Sequence, residues 1–109
     1  MGYTVDGQAL AADDQGYLQE PDTRDEVSRV IAEAEGIALT DAHWEVIRYL
    51  RDEFAEHGHT PNFRNMLKGF QAIRPDADSQ YLYNLFPVGP AKQAVKIAGL
   101  PQPFRKGGY

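Results

Sequence analysis

A chain of 109 residues with 42% hydrophobic content suits one domain built on one core and is too short for two. It contains no cysteine, which excludes thiol catalysis, thiolate metal sites, disulfides and persulfide carriage on a side chain. The net charge of −5 is uneven: residues 1–60 hold four Arg and no Lys against fourteen Asp and Glu, a net of −10, whereas residues 61–109 hold seven Lys and Arg against Asp76 and Asp78, a net of +5.

This asymmetry predicts one anionic and one cationic face. Both can be plain solvated surfaces. The functional reading assigns Arg64, Lys68, Lys92, Lys96, Arg105 and Lys106 to an acidic partner, a small anion or RNA. No apolar run has the length of a membrane span, and Met-Gly-Tyr-Thr-Val-Asp lacks the basic and apolar regions of a signal peptide, so a cytoplasmic protein without a membrane segment is expected.

In chain order, Tyr3-Thr-Val5 and Ala9-Leu-Ala11 flank Asp6-Gly7-Gln8, a hairpin signal, and Asp13-Asp-Gln-Gly16 turns the chain again before Tyr17-Leu18. A lone hairpin is marginal in water, so this one has to pack on helices. The first helix is predicted from about Arg24 to Glu35, capped by Asp22 or Thr23, with Val27, Val30, Ile31 and Ala34 inward and Gly36 as terminator. The second begins behind Thr40 and runs to about His57. Trp44, Ile47, Leu50 and Phe54 form its inward stripe, with Trp44 at the centre of the core, while His43 in the first turn reads as exposed.

Gly58-His-Thr-Pro61 stops that helix and starts a third, with Thr60 as cap, Pro61 in the first turn and Phe63, Met66, Leu67 and Phe70 inward. Two helices joined so tightly resemble a helix-turn-helix, which would expose Arg64, Asn65 and Lys68, although a recognition helix usually brings more Arg and Lys. After the loop Arg74–Asp78, a fourth helix capped by Asp78 or Ser79 runs to Phe86. Gly89-Pro90 opens a fifth, Gly99 closes it, and Leu100-Pro-Gln-Pro103 leaves as a stiff extended arm.

The fold class expected is therefore mainly α with a small N-terminal β-hairpin: one domain over 1–100, with the hairpin at about 3–18 and about five helices at 24–99, followed by a mobile arm over 101–109. Chemistry of its own is scarce. His57 and His59 lie near Glu53 and Glu56, but the spacing matches no closed metal site, and neither a phosphate loop nor a nucleophile elbow is present. No catalytic residue, metal or cofactor is assigned.

One resemblance is specific and spans nearly the whole chain. Tyr81-Leu-Tyr-Asn-Leu-Phe-Pro-Val-Gly-Pro-Ala-Lys-Gln-Ala94 with Lys96-Ile-Ala-Gly-Leu-Pro101 closely resembles the C-terminal signature of the DsrC/TusE/DsvC family, small sulfur carriers once called the gamma subunit of dissimilatory sulfite reductase. Leu39–Arg51 is similar to the family's central helix, and Val5-Asp-Gly7 with Asp14-Gln-Gly-Tyr17 to its hairpin. The resemblance implies a sulfurtransferase whose cysteine stands next to last in the arm, with a second after the Ala-Lys-Gln-Ala run in DsrC-type members only. Here the second position is Val95. The arm position falls at Lys106 counted from Pro103, or at Gly108 counted from the end of a tail two residues longer than the family's.

The expectation that follows is a cysteine-less member of a sulfur-relay family, acting as a regulator, decoy or scaffold. It would dock on a sulfite reductase-like or TusBCD-like protein partner through Lys92, Lys96, Pro101, Pro103, Phe104, Arg105, Lys106 and Tyr109. The alternatives are a nucleic-acid-binding regulator using the helix-turn-helix-like segment, with Arg64 and Lys68, and the basic C-terminal half; a sulfurtransferase homologue whose cysteine was removed; and sulfur carried as a thiocarboxylate on the terminal Gly107-Gly108.

Overall fold

The computed structural model describes residues 2–103. Strands β1 (Gly2–Val5) and β2 (Gln8–Ala11) pair antiparallel with Val5 opposite Gln8. Asp6 and Gly7 take φ of 50° and 80°, the two positive values that a two-residue turn matched to strand twist requires. An isolated bridge between Ala12 and Leu18 extends the hairpin, so Tyr17 and Leu18 fold back into the core.

Five helices follow: α1 (Asp25–Ala34), α2 (Asp41–His57), α3 (Phe63–Gln71), α4 (Ser79–Leu85) and α5 (Pro90–Ile97). The expected architecture is thus observed, with corrections at helix starts. Helix α1 is preceded by Arg24, and neither Asp22 nor Thr23 caps it. The Asp22 carboxylate instead grips the Arg24 guanidinium at 2.8 and 2.9 Å. For α3 the cap is Asn62, whose Oδ1 accepts the Asn65 N–H at 2.9 Å, so Pro61 lies outside the helix and Thr60 is buried. The Asp78 carboxylate caps α4 through the Tyr81 N–H. Pro90 occupies the first turn of α5, as expected.

Two further expectations fail on helix α2. His43 is buried, not exposed. Its Nδ1 accepts the Thr40 N–H at 3.1 Å in a reciprocal capping box, and Nε2 reaches the Leu85 carbonyl at 2.9 Å. The buried residues of α2 are His43, Val46, Ile47, Tyr49 and Leu50, so Ile47 and Leu50 lie inward as expected while Trp44 and Phe54 stand at the edge of the core, partly buried. The centre is instead filled by Ile47, Leu50, Met66, Phe70, Leu82 and Phe86. Among the described residues no helix is long and apolar enough to cross a membrane.

Candidate partner-docking surface

Helix α5 carries the chain to its arm, and its own sequence dictates how firmly it is held. Its Pro90, Gln93, Ala94, Val95 and Ile97 are buried, and it touches α1, α2, α3 and α4. The helix ends in a Schellman motif: the Gly99 N–H bonds the Lys96 carbonyl at 3.2 Å, the Leu100 N–H bonds the Val95 carbonyl at 3.3 Å, and Gly99 takes φ 84°. Gly99 is required for a second reason. Its carbonyl accepts the Asp22 N–H at 2.8 Å, and a Cβ there would collide with the Asp22 carbonyl oxygen.

A polar cluster fixes the outer side of the same helix. The Gln93 amide donates to Glu35 Oε1 at 3.0 Å and accepts the Val88 N–H at 3.1 Å. Glu35 Oε2 takes Lys96 Nζ at 3.3 Å, and that ammonium lies 5.3 Å from the centre of the Tyr17 ring. The Tyr17 hydroxyl donates to the Lys92 carbonyl at 3.2 Å, and burial, then the charges of Asp13 and Glu35, push its pKa up to about 12. Tyr17 therefore stays protonated and keeps donating at any physiological pH. This cluster ties α1, the hairpin and α5 together, and it was not anticipated: its hydrogen bonds between those elements span 58 to 75 residues in sequence.

Beyond Leu100, Pro101, Gln102 and Pro103 run half-buried along the surface, and the Gln102 amide donates to Gln15 Oε1 at 2.8 Å. They form one side of an open groove of about 680 Å³ whose other side is Phe54, His59, Pro61, Asn62 and Asn65. The arm thus departs beside the α2–α3 turn.

The expected docking residues separate on this geometry. Lys92 is exposed, whereas Lys96 has only 17% of its side chain exposed and is paired internally. Pro101 and Pro103 line the groove, while Phe104, Arg105, Lys106, Gly108 and Tyr109 lie outside the described residues. Val95, where the resemblance places a second cysteine, is completely buried. Arg64 and Lys68 are exposed on α3, and α2 sets Glu53 and Glu56 just before the turn. Glu53, Glu56 and His57 bring ligand atoms within 4.8 Å of one another at the surface, and exposed groups of this kind are ordinary without an ion.

A hairpin closed by an Asp-Gly turn, five short helices, a glycine-terminated last helix and a proline-rich exit define a DsrC-like carrier fold, and sequence comparison agrees: residues 4–105 match the family described as "DsrC like protein". The chain belongs to that family. It is 46% identical over 103 residues to the sulfurtransferase TusE of Pectobacterium atrosepticum, covering 92% of this chain and 94% of the relative. Among solved structures it resembles the oxidized gamma-subunit of dissimilatory sulfite reductase (DsrC) from Archaeoglobus fulgidus, with TM-score 0.87 and 41% identity over 96% of this chain and 98% of that one. A chain in the crystal structure of dissimilatory sulfite reductase I is also similar, with TM-score 0.75 and 30% identity over 92% of this chain and 93% of the other.

Proposed function

We propose that this protein is a cysteine-less member of the sulfur-relay family that acts by docking, as regulator, decoy or scaffold, and does not carry persulfide itself. One observation carries the reading: the family fold is retained through the mounting of the arm, in a chain with no cysteine anywhere. Persulfide formation needs a polarisable thiolate, and neither a Lys nor a Gly side chain offers one. The arm from Pro101 to Tyr109, together with Lys92, which is exposed on α5, would engage the cleft of a protein that binds active carriers. The titles of its structural neighbours, which name dissimilatory sulfite reductase, support a sulfite reductase-like enzyme as that partner, and the family resemblance implies a TusBCD-like relay complex as the other choice.

A pull-down from a sulfur-metabolising host, with and without residues 101–109, tests this. Recovery of a partner only by the full chain is expected, and equal recovery by both forms would sink the proposal. The nucleic-acid reading keeps exposed Arg64 and Lys68 on α3 but loses part of the basic half, where Arg74 and Lys96 are bound to Glu45 at 2.9 Å and to Glu35 at 3.3 Å.

A further inference from the structure

The acidic half of the chain has four arginines, and three of them converge on its single tryptophan. The guanidinium carbons of Arg29, Arg48 and Arg51 lie 5.5, 5.8 and 5.9 Å from the centre of the Trp44 ring. Arg51 is committed to the fold: its Nη1 bonds Asp25 at 2.8 Å, its Nη2 bonds Ser28 at 2.7 Å, and its Nε bonds the Ala98 carbonyl at 3.3 Å. Arg29 and Arg48 differ. Both are exposed, and among the described residues neither has a carboxylate partner, in a half-chain with fourteen Asp and Glu. The Asp25 carboxylate, bonded by Arg51, is held below its usual range by that hydrogen bond, with further help from the charges of Arg51, Arg29 and Arg48. Two arginines without a carboxylate partner among the described residues therefore stand beside one indole.

Beside the arginines lies an open groove of about 510 Å³, bounded by Arg29, Ala32 and Glu33 of α1, by Ile37, Ala38 and Leu39 of the connection, and by Trp44. Its lining is mostly apolar, and its charged members are Arg29 and Glu33. Arginines stacked on an indole are oriented in advance, so a carboxylate meeting them loses little additional side-chain freedom. Glu33 and the surrounding acidic surface work against a polyanion such as a nucleic-acid backbone, whereas one or two carboxylates next to an apolar side chain match the groove.

We propose that the Trp44 groove is a second docking site, which takes an acidic–hydrophobic peptide segment of a partner protein. A carboxylate of the segment sits between Arg29 and Arg48, and an adjacent leucine or phenylalanine lies against Ile37, Leu39 and Trp44.

Because Trp44 is the only tryptophan, its fluorescence reads the site directly. The probe is an acetylated and amidated hexapeptide, Gly-Glu-Leu-Glu-Phe-Gly, titrated into the full chain beside its Gln-for-Glu counterpart, inorganic phosphate and an octauridine RNA. The acidic peptide is expected to give a saturable change that weakens about tenfold or more in Arg29→Ala/Arg48→Ala and in Arg48→Glu. It should be unaffected in Arg64→Ala/Lys68→Ala. No change with the acidic peptide, an equal response to the Gln peptide, or full binding by the Arg29 and Arg48 variants would overturn the proposal. Equal saturation by phosphate would reduce the site to an anion hole, and tighter binding of the RNA would replace the peptide with nucleic acid, and both outcomes overturn it.

Discussion

Nε2 of His43 lies 2.9 Å from the carbonyl oxygen of Leu85, joining the first turn of α2 to the last residue of α4. Because Nδ1 accepts the Thr40 N–H, the neutral ring must carry its proton on Nε2 and donate it to Leu85. The imidazole also meets Phe86 edge-on, with ring centres 5.1 Å apart. Protonation at Nδ1 would remove the acceptor of the capping box, and burial lowers the His43 pKa more than the Leu85 bond raises it.

The pH dependence of stability follows. In the unfolded chain His43 takes up a proton near its ordinary pKa of about 6.5, whereas the folded chain resists doing so. The His43 contribution is therefore complete above about pH 6.5 and is lost as the pH falls through the lower folded value. Urea unfolding at pH 7.5 and pH 5 should show this loss in the parent protein. His43→Gln, which cannot titrate, should lack most of it, and an unchanged difference between the two pH values in that variant would refute the assignment to His43.

The cluster around Glu35 should matter more than a surface pair. Glu35 and Lys96 expose 20% and 17% of their side chains, and Gln93 is buried. Glu35→Ala would strand the Gln93 amide and the Lys96 ammonium together, at a cost of about 1–3 kcal/mol. Arg24→Ala, which breaks an exposed pair with Asp22, should cost well under that. Similar unfolding midpoints for the two variants would contradict this ranking.

Two glycines with almost the same backbone angle should respond differently to alanine. Gly58 and Gly99 have φ of 76° and 84°. A Cβ at Gly58 meets nothing within 4 Å, so Gly58→Ala should cost only the left-handed strain of about 1 kcal/mol. At Gly99 the Asp22 carbonyl is in the way, and Gly99→Ala should exceed about 2 kcal/mol and also disturb the exit of the arm. Thermal melts of the pair decide it, and equal losses would mean that the chain around Asp22 yields freely.

Restoring a thiol should restore carriage in one place and not in another. Lys106→Cys, in the arm, is expected to gain one sulfur by intact mass after incubation with a persulfide donor. Val95→Cys should not, since Val95 is fully buried and burial raises a thiol pKa and bars access. The parent protein should gain nothing. A sulfur on the parent chain would refute inertness, and its location would test the terminal glycines.

Much of this molecule could be read from short-range pattern. Apolar spacing and caps marked the first four helices, Asp6-Gly7 marked the hairpin, and Pro90 and Gly99 marked both ends of α5. His43 and Trp44 were misassigned because adjacent residues on a helix differ by only about 100°. Periodicity favoured the bulkier residue, whereas the capping box and the Leu85 carbonyl placed the imidazole inward. The Asn62 cap was hidden behind Thr60 and Pro61, which form an equally good signal two residues earlier. The Glu35–Gln93–Lys96–Tyr17 cluster and the arginines around Trp44 depend on which distant elements meet, and spacing along the chain does not encode that.

The bond from Tyr17 to the Lys92 carbonyl spans 75 residues, and that from Gln102 to Gln15 spans 87. A ribosome makes the hairpin well before α5, so the hairpin waits while some 75 residues are added for the surface it packs on. Closure of the domain is thereby deferred until the arm itself is emerging, and a nascent chain stalled before residue 90 should bind chaperones rather than resist protease.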